Sequence, residues 1–244
     1  MRLLVVNPNT SSTMTQAIAQ AAQAAASGGT RIVAVQPSFG PRSIEGHYDE
    51  AFAAAGVAEQ VRLARSEAFD GVIVACFGDP GVDAAREACA APVLGVAEAA
   101  FHAASFVATG FSVVTTLTRT CVIAERLLLR YGFDRHCRGV HGTDIPVLAL
   151  DACGEDTMAQ IEACARDALQ RDRSGAIVLG CAGMAGLART LQQRLGVPVI
   201  DGVAAAVRIA EALAGLGLMT SKRGDYATPL DKEYAGWSAS LGWP

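Results

Sequence analysis

Short runs rich in Val, Ile and Leu alternate along almost the whole chain with Ala-rich stretches of helical length, and this alternation restricts the fold more than any other feature. Strands that are apolar on both faces must be covered on both, so the pattern implies an α/β fold with parallel sheets flanked by helices. Strands are expected at Leu3 to Val6, Arg31 to Val35, Gly71 to Ala75, Val93 to Gly95, Ser112 to Thr115, Ala176 to Leu179 and Val199 to Ile200. Helices are expected near Thr13 to Ala26, Asp49 to Glu67, Val82 to Ala90, Glu98 to Ala108, Arg119 to Tyr131, Glu155 to Gln170, Leu187 to Leu195 and Val203 to Leu213.

The pattern runs twice. Gly71-Val-Ile-Val-Ala-Cys76-Phe-Gly78 and Gly175-Ala-Ile-Val-Leu-Gly-Cys181-Ala-Gly183 each end a buried strand on a cysteine. Each is followed by a helix, by Pro92-Val93-Leu94-Gly95 or Pro198-Val199-Ile200-Asp201-Gly202, and by another Ala-rich helix. Leu4-Val5-Val6-Asn7-Pro8-Asn9-Thr10 is echoed by Ser112-Val113-Val114-Thr115-Thr116-Leu117-Thr118. Two similar lobes are therefore expected, one built from residues 1–100 plus about 207–225 and the other from 101–206, with a polar C-terminal tail at 226–244. Ligands of open α/β sheets bind beyond the carboxyl ends of the strands, so each lobe offers one thiol to a cleft between them. The tail carries both tryptophans, Trp237 and Trp243, and reads equally as disordered or as packing on a neighbouring subunit.

Composition removes several function classes. The formal charge is −4 with no basic block, which leaves no electrostatic footprint for nucleic acid or anionic lipid and points to a small-molecule partner. The N-terminus enters a strand pattern at once and apolar runs are short, so neither a signal peptide nor a membrane span is expected. Seven cysteines without a C-x-x-C pair suggest reduced thiols in the cytoplasm rather than a disulfide framework or a zinc site. Lysine occurs only at Lys222 and Lys232, in the polar C-terminal stretch, which argues against pyridoxal phosphate. With no Walker A loop, G-x-G-x-x-G or H-E-x-x-H, no cofactor and no metal are expected. The apolar, Ala-rich composition and the aromatic tail suggest a homo-oligomer.

A cysteine in an apolar run is ordinarily core filler, and Cys89, Cys121, Cys137, Cys153 and Cys164 are read so. Cys76 and Cys181 differ, because each stands where a strand yields to a Gly-containing loop and then a helix. Such a site brings backbone N–H groups and a helix N-terminus to the sulfur, with Asp79-Pro80 as N-cap and first helical residue after Cys76. Lowering a thiol from about 8.5 to about 7 makes half of it thiolate at neutral pH, a usable base. Thiols on opposite walls suit removal of a proton from one face of a carbon and its return on the other.

Asn7-Pro8-Asn9-Thr10, Ser43-Ile44-Glu45-Gly46-His47, Ala75-Cys76-Phe77-Gly78-Asp79-Pro80-Gly81, Val114-Thr115-Thr116-Leu117 and Leu179-Gly180-Cys181-Ala182-Gly183-Met184, in this order, resemble the hydantoin and allantoin racemases of the Asp/Glu racemase superfamily. The resemblance reaches to about Tyr226. It implies a cofactor-independent, commonly oligomeric enzyme of two α/β lobes with Cys76 and Cys181 as acid and base at C5 of a hydantoin. Amino-acid racemases of the superfamily follow their cysteines with Asn-Thr and Thr-His, where this chain has Phe77-Gly78 and Ala182-Gly183. That departure disfavours a zwitterion and suits a neutral ring held largely by backbone groups. The alternatives are another activity of the superfamily, such as amino-acid racemisation, arylmalonate decarboxylation or maleate isomerisation, and a non-catalytic two-lobed binding protein.

The same motifs imply substrate contacts at Asn9, Ser43, Ile44, Phe77, Gly78, Thr116, Ala182 and Gly183. Asn9 and Thr10 also read as helix caps, and Thr120 as either a cap or a contact. His47, Asp49 and Glu50 read as a solvated helix start, and His136 and His141 as surface residues of a charged loop. Phe39, Phe77 and Phe101 are candidates for an apolar pocket around the C5 substituent.

Overall fold

The computed structural model describes residues 1–152 and 154–243. Strands and helices alternate in the order β1 (Arg2–Val6), α1 (Ser12–Ala25), β2 (Arg31–Val35), α2 (His47–Ala64), β3 (Gly71–Val74), α3 (Val82–Ala88), β4 (Val93–Gly95), α4 (Val96–Val107), β5 (Phe111–Thr115), α5 (Cys121–Tyr131), β6 (Cys137–Gly142), α6 (Glu155–Asp172), β7 (Ala176–Gly180), α7 (Ala188–Leu195), β8 (Val199–Asp201) and α8 (Gly202–Gly215). The strands make two four-stranded parallel sheets of the same order, β2-β1-β3-β4 and β6-β5-β7-β8. Two similar lobes with helix-flanked parallel sheets are thus present, as the repeat implies.

The inner strands are apolar throughout because both faces are covered, and alternate residues serve opposite layers. In the first sheet Leu3, Val5 and Ile73 pack with Ile18 of α1 and Val203 and Val207 of α8. Leu4, Val6, Val72 and Val74 face the other way, onto Val57 and Val61 of α2 and Val82 of α3. In the second sheet Val113 and Val178 pack on Phe101 of α4 and Leu127 of α5, while Val114, Ile177 and Leu179 pack on Ile161 of α6 and Leu191 of α7. The helix that follows each fourth strand therefore crosses to the core of the other lobe, α4 to the second and α8 to the first.

One strand escapes the sequence pattern. The segment carrying His141, expected as a charged loop, is the edge strand β6. It has no apolar run, and only Cys137 and Val140 of it pack on the core beside its pairing with β5. Polar contacts add to these: the Asp172 carboxylate accepts from Ser112 Oγ at 2.5 Å and lies 2.7 Å from His141 Nε2. Gly139 leaves the room, since a Cβ there would lie 2.3 Å from Asp172 Oδ2. His141 is accordingly a half-buried partner of Asp172 rather than a surface residue.

Cys89, Cys137 and Cys164 are half-buried against the cores and Cys121 is half-buried beside Leu117, whereas Cys153 lies outside the described residues. The tail lies on its own chain, Trp237 meeting Phe39 edge-on with ring centres 5.7 Å apart and Arg65 lying 5.7 Å over Trp243. Among the described residues no helix is long and apolar enough to cross a membrane.

Candidate active site

The carboxyl ends of the central strands β1, β3, β5 and β7 open onto one cleft. Cys76 follows β3 and Cys181 follows β7, and both line it. Of the other residues expected at the site, Asn9, Ile44, Phe77, Gly78, Thr116, Ala182 and Gly183 line it as well. Ser43 does not; it stands beside Ile44 in the loop before α2, half-buried. Of the three candidate phenylalanines only Phe77 reaches the cleft. Phe101 is fully buried behind it, edge-on at 5.6 Å, and Phe39 lies with Trp237.

The loops holding these groups are built from local hydrogen bonds. Ser11, not Asn9 or Thr10, caps α1, its Oγ accepting from the Met14 N–H at 3.3 Å. Asn9 Oδ1 accepts from the Ser11 N–H and from Asn7 Nδ2, each at 2.9 Å, which fixes its amide and turns Nδ2 toward the Met14 sulfur. A thioether is a weak acceptor, so that N–H pair stays available to a ligand. In the second lobe Thr115 Oγ1 donates to the Gly180 carbonyl at 2.8 Å, and Thr143 Oγ1 donates to the Thr115 and Thr116 carbonyls at 3.1 Å. Thr120 Oγ1 bonds back to the Leu117 carbonyl at 2.7 Å rather than capping α5, and the residue lines the cleft.

Asp79 departs most from expectation. Its left-handed backbone (φ 45°) turns the carboxylate away from α3, whose cap is Gly81, and onto the start of α4. There it accepts from the Ala97 and Glu98 N–H groups at 3.0 Å and from the Tyr131 hydroxyl at 3.1 Å. Burial pushes its pKa up to about 7 against those bonds.

The Cys76 thiol likewise differs from the acidified thiol expected. α3 begins six residues further on, so it does not start at the cysteine, and burial pushes the thiol far above its usual range. The Gly78 N–H opposes that rise, while negative charge at Cys181, Glu50 and Asp79 adds to it. A neutral thiol is thus the form favoured when the cleft holds no ligand.

Glu50, read from the sequence as part of a solvated helix start, is instead in the cleft wall. Oε1 lies so close to Gly78 that a Cβ there would fall 2.5 Å from it. At Gly183 a Cβ would lie 3.1 Å from Leu150 Cδ1. The glycines that replace the polar residues after each cysteine thus leave space already taken by Glu50 and Leu150. His47 stands behind Glu50, and Asp49 accepts from the Glu45 N–H at 2.9 Å, outside the cleft. Glu45 in turn accepts from the Val147 N–H at 2.9 Å, joining the loop of the first lobe to the cleft wall of the second. Among the described lining residues there is no Lys, Arg or His.

Residues 3–210 match the family model for Asp/Glu/hydantoin racemases. The chain belongs to that family. A hydantoin racemase from Paenarthrobacter aurescens is 45% identical, over 96% of this chain and 100% of that protein. The structure of an allantoin racemase from Klebsiella pneumoniae superposes with a TM-score of 0.96 at 54% identity, covering 99% of each chain. That of an allantoin racemase from Pseudomonas fluorescens does so with a TM-score of 0.93 at 44% identity, over 97% of this chain and 100% of the other. Against this racemase-family background the two lobes of like topology, each sending a strand-end cysteine to one cleft, acquire a chemical meaning.

Proposed function

We propose that this protein is an isomerase, a cofactor-independent racemase of 5-substituted hydantoins with allantoin in that class, working by proton transfer at C5 between Cys76 and Cys181. The observation that carries the reading is the pair of thiols at corresponding ends of β3 and β7, lining one cleft that has no cationic side chain among its described residues. The dicarboxylates of related activities would find no countercharge there, whereas a neutral ring needs none.

The C4 carbonyl acidifies the C5 hydrogen. One thiolate takes that proton, the electron pair delocalises onto the carbonyl oxygen, and the opposite thiol delivers its own proton to the other face, so the two sulfurs exchange roles with each turnover. Negative charge on Cys181 raises the Cys76 thiol further, so a second thiolate is resisted and one sulfur stays protonated, the state the reaction requires. Backbone N–H groups near Gly78 and Gly183 are suited to the developing enolate, and the amide of Asn9 and the hydroxyl of Thr116 to the ring, with Ile44, Phe77 and Ala182 as apolar walls and Ser43 as support for Ile44. The enzyme would act in the cytoplasm as a homo-oligomer.

The test follows optical rotation and C5 deuteration of enantiopure allantoin, alkyl-hydantoins and benzyl-hydantoins, using enzyme dialysed against a chelator. Loss of rotation with incorporation of solvent deuterium is expected for at least one of them. If rotation and deuteration stay unchanged in all three, or turnover requires added metal, the reading is wrong.

A further inference from the structure

The cleft contains one carboxylate that the two-thiol scheme does not use. Glu50 stands in the first turn of α2 with its side chain 21% exposed. Its Oε2 is 3.0 Å from His47 Nδ1, and His47 Nε2 faces Arg126 Nη1 at 3.5 Å. Its Oε1 lies instead on Gly78, the residue whose N–H serves the Cys76 sulfur. A charged acceptor is therefore anchored from behind at one oxygen and presented to the cleft at the other, next to a thiol. The remaining polar lining, such as Asn9, Thr116 and Thr120, is uncharged.

Resting on the hydantoin reading, we infer that Glu50 determines specificity: its Oε1 accepts a hydrogen bond from an N–H on the nitrogen attached to C5, and its charge keeps anionic ligands out. In a hydantoin that nitrogen is one bond from the reacting carbon, so holding it beside Gly78 sets C5 beside the Cys76 sulfur. A hydrogen bond to an ionised acceptor is about twice as strong as one to a neutral group. The same charge repels a carboxylate bound in the same cleft. Glu50 thus favours neutral, N–H-bearing substrates over amino acids and dicarboxylates.

The test is calorimetric binding of hydantoin-5-acetamide and hydantoin-5-acetic acid, a neutral and an anionic ligand of nearly the same shape, to the wild type and to Glu50→Gln and Glu50→Asp. The wild type is expected to prefer the amide by about tenfold or more. Glu50→Gln should weaken the amide by about tenfold and bring the two ligands within about threefold of each other. Glu50→Asp keeps the charge but shortens the reach, so it should weaken the amide and retain the preference. A residue that only supports the fold would weaken both ligands in parallel. If the preference in Glu50→Gln equals that of the wild type, the assignment is overturned while the hydantoin reading stands. If neither ligand binds the wild type although one of the three hydantoins is racemised, the assignment is overturned; if none of the three is racemised either, the hydantoin reading fails and the assignment falls with it.

Discussion

Cys76 and Cys181 end corresponding strands, but burial rather than the local loop governs the acidity of Cys76. Cys76 is half-buried and lines the cleft, so a ligand that favours its anion works against the rise that burial causes. If the thiols address opposite faces of C5, neither can replace the other. Cys76→Ser and Cys181→Ser are each expected to lower racemisation by at least about a hundredfold, because a serine hydroxyl is too weak a base. In heavy water each variant should still exchange the C5 hydrogen of one enantiomer without inversion, with opposite preferences. Cys89→Ser and Cys164→Ser should stay near the wild type, as both residues lie outside the cleft. Racemisation at near-normal rates in both active-site variants would eliminate the two-thiol mechanism.

The helices that follow β4 and β8 are capped by different means, although the strands correspond. In the second lobe Asp201 caps α8 locally, its Oδ1 accepting from the Val203 N–H at 2.8 Å. In the first lobe Gly95 occupies the equivalent place, and the carboxylate comes from Asp79 in the loop after Cys76. Gly95 is required by this arrangement, since a Cβ there would fall 2.2 Å from Asp79 Cγ. The contact ties the Cys76 loop to α4, and through Tyr131 to α5 of the second lobe. The native pKa of Asp79, about 7, lies above the ordinary 3.8, so the folded state holds its proton more tightly than the unfolded chain. The stability it contributes is present in acid and is lost as pH rises from about 4 through 7. Replacing it in Asp79→Asn should therefore remove part of the fall in melting temperature between pH 5 and pH 8, by about 5 °C, over and above any constant loss from the altered cap. Scanning calorimetry at both pH values checks this; identical slopes for the two proteins would show that Asp79 is not protonated at pH 5 more than in the unfolded chain.

At the scale of the molecule, the cleft exists because α4 and α8 each cross to the partner lobe and hold the two sheets with their strand ends facing each other. The loop before α2 bridges the opening through Glu45 and Val147. Outside the cleft, Tyr48 and Trp237 stay exposed at 79% and 67%, beside Phe39 and Phe52, a larger aromatic patch than scattered surface residues make. A homo-oligomer accounts for such a surface, and light scattering should report a mass above the 25.2 kDa of one chain. A monodisperse monomer at micromolar concentration would refute it.

Periodicity and repetition were enough to determine the layer architecture and seven of the eight strands, because an apolar strand covered on both faces and an Ala-rich helix each leave a mark within a few residues. The edge strand β6 left none, its place depending on pairing with β5 and on Asp172 some thirty residues from His141. The position of each cysteine at a strand end was legible for the same local reason. The company those cysteines keep was not. Glu50 enters the cleft, Asp79 leaves its own helix for α4, and burial outweighs the N–H groups around Cys76, all through contacts between segments distant in the chain. Local pattern records which face of an element is apolar, whereas electrostatic environment depends on everything packed within a few ångströms, and that is decided only when the two lobes come together.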